Sequence, residues 1–183
     1  MKILAALSIV IGLAVLPSEV SAMEKFPMPK TVYETDYRSA AEELILGINT
    51  LQQSGYEFEE FPADVLAIYY NDFVLLELIE GGAANFQETQ LPLHPLTKKD
   101  ILNGLSRIGA EKLGNVFRQN FVDRDGGDSA VIDRFVKEAS QTEDVQELNA
   151  RLFWTSNQIA WKDDSEVDAE IAELAVAKMK KPN

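Results

Sequence analysis

The sequence predicts an all-α, single-domain bundle of about six or seven helices around one buried central helix. Three features lead to this. Apolar residues recur at helical spacing along most of the chain after residue 36, and a period near 3.6 residues marks a helix with one face in a core. The stretch 63–80 is apolar on nearly every side, as a helix enclosed by its neighbours must be. The chain has 183 residues without internal repeats or an inter-domain linker, enough to bury about 70% of its unfolded surface in one core.

Residues 1–22 stand apart from that fold. Lys2 supplies a positive charge, 3–16 form an apolar stretch of 14 residues, Pro17 breaks it, and Val20-Ser21-Ala22 fits a signal-peptidase site. This order of regions is that of a secretory signal peptide, and the stretch is shorter than the ~20 residues that span a bilayer. Cleavage between Ala22 and Met23 is expected, giving a periplasmic or secreted protein. An uncleaved anchor, or a true start at Met23, are the alternatives. The chain has no cysteine, so no lipid-anchored precursor is expected, and a core of this size needs no disulfide staple.

The elements follow in order. The stretch 23–36 contains Pro27 and Pro29 without periodicity and reads as an extended lead-in, with 37–183 forming the acidic helical domain. Tyr37, Ala41, Leu44, Ile45, Ile48 and Leu51 make the apolar face of a first helix that ends at Gly55. Phe61-Pro62 opens the second, with Pro62 near the first turn, where a missing N–H costs little. This central helix covers roughly 63–80; its β-formers would suit a strand, but its length is that of a helix. Gly81-Gly82 terminates it. An irregular connection spans 83–95. Thr97 and Asp100 have capping-box spacing ahead of Ile101, Leu102, Leu105 and Ile108, and Gly109-Ala110 marks a join or close contact before Leu113 and Phe117. After an acidic, glycine-rich loop at 123–128, three more helices are expected near 131–139, 145–157 and 167–179. Ser165 and Asp168 are placed to cap the last, and Lys178, Lys180 and Lys181 suit the negative end of its dipole.

Charge separates the function classes. Without Lys2 and Glu19 the chain has 29 acidic against 16 basic residues, a balance of −13. Such a surface repels nucleic acid and anionic membranes and attracts basic partners; it also serves solubility alone. The imbalance is concentrated over 123–173, where 14 acids face five bases. With their apolar stripes turned inward, the helices there would present Asp144, Glu147, Asp163, Asp164, Asp168 and Glu170 as an acidic face.

Catalytic constellations are weak by comparison. His94 is the single histidine, between Leu93 and Pro95, with no glycine-flanked serine elbow to accompany it. Carboxylate pairs that could hydrolyse a glycoside are numerous in any chain this acidic. The loop 123–128 looks like a calcium loop at first, but counting from Asp123 its sixth and twelfth positions are Asp128 and Arg134, where an EF-hand needs glycine and a bidentate glutamate. No catalytic residue, metal site or cofactor is expected.

At the end of the central helix, Glu77-Leu78-Ile79-Glu80-Gly81-Gly82-Ala83-Ala84-Asn85-Phe86 resembles the hallmark of the bacterial DNA-mimic-protein family. That pattern is a glutamate, two or three residues, then Asn-Gly-Gly-Phe, any residue, a glutamine and an aromatic; Glu80, Ala83 and Asn85 depart from it. Ile108-Gly109-Ala110 and Leu148-Asn149-Ala150-Arg151-Leu152-Phe153 are similar to later segments of the family, so the resemblance covers roughly 41–177. It implies an all-helical fold, a protein able to pair with a second copy, and carboxylates that imitate DNA phosphates on a basic protein. It also makes Glu77, Glu80, Gly81, Gly82, Phe86 and Gly109 a structural motif; the Gly81-Gly82 turn itself makes Glu77 the candidate for bonding its backbone groups.

The functional expectation is a non-enzymatic, exported, acidic interaction protein whose partner is a basic protein. An inhibitor of a cationic toxin or lytic enzyme fits both charge and address. Two alternatives stay open: a DNA-mimic regulator in the cytoplasm, if the chain starts at Met23, and a carboxylate hydrolase with a cleft near Glu77 and Glu80.

Overall fold

Two short strands join the beginning of the fold to its end. In the computed structural model, which describes residues 23–34, 36–76, 79, 95–123 and 129–180, β1 (Phe26–Pro29) pairs in parallel with β2 (Ile159–Lys162), Phe26 opposite Ile159 and Pro29 opposite Lys162. The expected lead-in is therefore an element of the core, with Phe26 and Met28 both buried. A single 3-10 turn, Lys30–Glu34, carries the chain from β1 to the first helix.

Most of the other described residues are helical. The helices are α1 (Tyr37–Gln53), α2 (Ala63–Tyr69), α3 (Pro95–Arg107), α4 (Glu111–Phe117), α5 (Ser129–Ala139), α6 (Val145–Thr155) and α7 (Asp164–Met179). The all-α expectation holds for the described residues, with β1 and β2 as a small addition. α1 starts where Asp36 accepts the Ser39 N–H at 2.9 Å, the usual way an N-cap satisfies an orphan donor. Its buried residues, Tyr37, Ala40, Ala41, Leu44, Ile48 and Leu51, make the single stripe that the periodicity implied. Past its end, Gly55 has φ of 96°, a conformation that costs glycine little.

α2 is the central helix. It packs against α1, α3 and α6 and buries Val65, Ala67, Ile68 and Tyr69. It differs from the expected regular helix in that Tyr70–Leu76 continues as a π-helix. The widened turn sets Asn71 wholly inside the protein, its Nδ2 donating to Asn149 Oδ1 of α6 at 3.2 Å. Gly104 of α3 permits this approach, because a Cβ there would stand 2.8 Å from Asn71 Oδ1. A second π segment, Arg118–Val122, extends α4. There Phe117, Phe121 and Phe135 interlock with ring centroids 4.9–5.8 Å apart, the tilted and edge-on geometry aromatic quadrupoles favour.

Several element ends differ from expectation. α3 begins at Pro95, ahead of the proposed Thr97 cap. α7 begins at Asp164 with Asp163 as N-cap and Glu166 accepting the Asp163 N–H at 3.3 Å, so Ser165 and Asp168 lie inside the helix rather than capping it. Gly109 has φ of 77° between α3 and α4, the join the sequence marked. Glu77, Glu80, Gly81, Gly82, Phe86, His94, the loop 124–128 and the segment 1–22 lie outside the described residues.

Candidate functional site: an acidic cleft between two helices

A deep cleft is built by three elements. β1 forms its floor, with Pro27 and Pro29 lining it beside Phe26 and Met28. α1 supplies one wall through Ser39, Glu43, Leu46, Gly47 and Thr50, and α7 the other through Asp164, Asp168, Ile171, Ala172 and Ala175. The spacings, near 4, 7 and 11 residues, are those of one stripe along each helix. Gly47 is part of the design: a Cβ there would meet the Phe26 ring at 2.8 Å, so glycine lets the floor approach the wall. The volume of about 650 Å³ lies within the ~300–1,000 Å³ of ligand sites.

The lining is apolar with an acidic border. Glu43, Asp164 and Asp168 contribute three carboxylates, and among the described residues no basic side chain lines the cleft. Glu43 and Asp168 are exposed, where charge stays hydrated and is felt over about 8–10 Å. Asp164 accepts from Thr31 Oγ1 at 3.1 Å, which joins the start of α7 to the turn after β1.

The six acids expected to form one face fall into two groups, at the starts of α6 and α7. Asp144 caps α6 by accepting the Glu147 N–H at 3.1 Å, and Glu147 pairs with Arg151 one turn on, at 3.5 Å. On α7, Asp163 pairs with Lys30 at 3.2 Å. Glu170 is half-buried and 2.5 Å from Lys162, whose pKa is raised chiefly by the hydrogen bond to Glu170. Desolvation works against that rise. Glu170 is thus neutralised by its neighbour and adds little to an outward field. Asp144, Glu147, Asp163, Asp164 and Asp168 remain exposed. Two of these, Asp144 and Asp163, also hold helix ends, a role the sequence reading missed at both.

The buried carboxylates have structural partners. Asp64, 6% exposed, pairs with Arg107 of α3 and accepts from Ser156 Oγ at 2.5 Å. Glu60, 3% exposed, pairs with Lys178 near the end of α7 at 2.5 Å and accepts the Glu57 N–H at 2.9 Å. Both charges are compensated, as burial requires. A smaller cavity of about 420 Å³ lies between α2 and α3, where Tyr70, Asp100 and Arg107 meet. Burial and the adjacent Asp100 push the Tyr70 phenol well above its ordinary pKa of 10.0, which keeps it a neutral hydrogen-bonding group. Among the described residues no cluster of His, Cys, Asp or Glu is arranged to hold a metal ion, and no helix is long and apolar enough to cross a membrane.

The residues on α1 and in the lead-in were not expected to take part. Leu46 carried the clearest signal, a leucine off the apolar stripe of α1; it is 59% exposed. Compared with protein-family models, with curated proteins and with solved structures, the chain matches none.

Proposed function

We propose that the protein is a non-enzymatic interaction protein of the periplasm or extracellular space that offers an acidic helical surface to a basic protein. One observation carries this reading: the cleft between α1 and α7 combines apolar walls with three carboxylates and, among the described residues, no basic lining residue. A cleft bordered by one sign of charge focuses the field and draws oppositely charged partners. Asp144, Glu147 and Asp163 are further exposed acids, at the starts of α6 and α7. An inhibitor of a cationic toxin or lytic enzyme is the form of this function that fits both charge and the proposed export. The resemblance to DNA-mimic proteins points the same way, toward carboxylates that engage a basic binding face.

The test is association kinetics with the partner recovered from periplasmic extract at low salt. Glu147 and Asp168 are the positions to reverse, since Asp144 and Asp163 cap helices and their loss would cost about 1 kcal/mol each. Glu147→Lys with Asp168→Lys is expected to slow association and flatten its salt dependence while dissociation changes little. Equal on-rates for both forms, with a flat salt response, would reduce these acids to a solvated surface.

A further inference from the structure

α7 is fastened at its two ends and, on one side of its middle, by the Glu170–Lys162 pair, while the side toward α1 is left open. At its start Asp163 pairs with Lys30 and Asp164 accepts from Thr31. Near its end Lys178 reaches buried Glu60 and lies 5.1 Å over the Tyr56 ring. Between these points only Val167 is buried; Ile171, Leu174 and Ala175 are half-buried, and Ala172 and Val176 are exposed. A surface helix ordinarily buries about three or four apolar residues per two turns. Here part of that stripe faces the cleft, opposite exposed Leu46.

We infer that the cleft between α1 and α7 is a docking groove for one amphipathic helix of a basic partner. Its apolar face would cover Leu46, Ile171, Ala172 and Ala175, and its Lys and Arg side chains would meet Glu43, Asp164 and Asp168. The inference rests on the proposed acidic interaction function and gives it a place and a ligand class.

Length, edge chemistry and charge select this occupant. The lining runs from Ser39 to Thr50 on one wall and from Asp164 to Ala175 on the other, about 16 Å at 1.5 Å per residue, or three turns of a third helix. An added strand fits poorly. Phe26 gives its N–H to the Gln158 carbonyl at 2.8 Å, so alternation along β1 turns Pro27 and Pro29 toward its other edge. Proline has no N–H to offer a new strand. Polyproline ligands dock in aromatic-lined grooves, and Phe26 is the one aromatic among the described lining residues. A helix laid in by its apolar face is therefore the mode that fits, and the acidic border asks that its flanks be basic.

The test uses a fluorescent amphipathic peptide of leucine and lysine, about four turns long, with fluorescence anisotropy read at low salt. Two control peptides replace its leucines by serine or its lysines by glutamate. The leucine–lysine peptide is expected to bind at least about tenfold tighter than either control. Ala172→Trp, which fills the groove, and Leu46→Ser, which removes its contact without changing charge, should each weaken binding several-fold. Both positions are exposed, so melting temperatures should stay near that of the wild type. Serine–lysine peptide binding as tightly as leucine–lysine would overturn the groove while leaving the acidic-surface reading intact. So would full affinity in both variants. A dimer broken by Leu46→Ser would place a second copy in the cleft and also overturn the inference. Failure of both lysine peptides to bind would count against groove and acidic surface together.

Discussion

Gly109 shows what one residue contributes and how legible it was. Its position between two apolar stripes announced a join, and φ of 77° makes it one. Nothing lies within 4 Å of where its Cβ would stand, so Gly109→Ala should suffer from backbone strain alone. A loss of about 1 kcal/mol or more in denaturant unfolding is expected, with Gly109→Asn milder because asparagine tolerates this region better. Glu143 was less visible. It accepts the backbone N–H groups of Lys112 and Leu113 at 3.2 and 2.9 Å, serving as a remote cap for α4. Desolvation raises its pKa, but the Leu113 and Lys112 hydrogen bonds outweigh that and bring it below 4.5. A carboxylate with a depressed folded pKa stabilises above its unfolded pKa and loses that contribution as pH falls through the folded value. Glu143→Gln should therefore be less stable than wild type near pH 7, and the gap between their melting temperatures should close as the pH falls through the lowered folded-state pKa. A gap independent of pH would mean that the charge contributes nothing. No sequence pattern announces such a cap, because its two halves lie 31 residues apart.

At the scale of elements, long periodic segments were legible and short ones were not. α1, α5 and α6 follow their apolar stripes, since burial of one face fixes both helix type and orientation. β1 and β2 have four residues each and lie more than 130 residues apart, so no local pattern could pair them. The prolines at 27 and 29 read as loop, although in a two-stranded sheet their missing N–H groups are harmless on the free edge. α7 was foreseen as a helix but not as a strap. Its dependence on Lys178 can be tested directly. Lys178→Met takes one compensating cation from buried Glu60, and a loss of up to about 3–5 kcal/mol in chemical unfolding is expected. Adding Glu60→Gln should restore much of it, because the cost lies in the buried charge. Equal stability of Lys178→Met and wild type would show that α7 is held by its apolar contacts alone.

For the whole molecule, composition pointed to a charge class of partner, but tertiary structure was needed to locate a site. The cleft draws on residues 26–32, 39–50 and 164–175, three segments that share no sequence motif and meet through the β1–β2 pair. Export is the second whole-molecule claim. The exported protein should have the intact mass of a chain beginning at Met23, and the full-length mass in a membrane fraction would contradict it. The Met23 N–H donates to the Glu60 carbonyl at 2.7 Å, close to where Glu60 holds Lys178, so this residue is tied into the same end of the fold. The most direct measurement of the central claim is an amide chemical-shift map of the isotope-labelled protein titrated with the leucine–lysine peptide. Perturbations are expected to cluster on 39–50 and 164–175 and to fade as salt shortens the screening length from about 30 Å toward 3 Å. Shifts confined to other helices, or a map indifferent to salt, would contradict an acidic cleft as the binding surface.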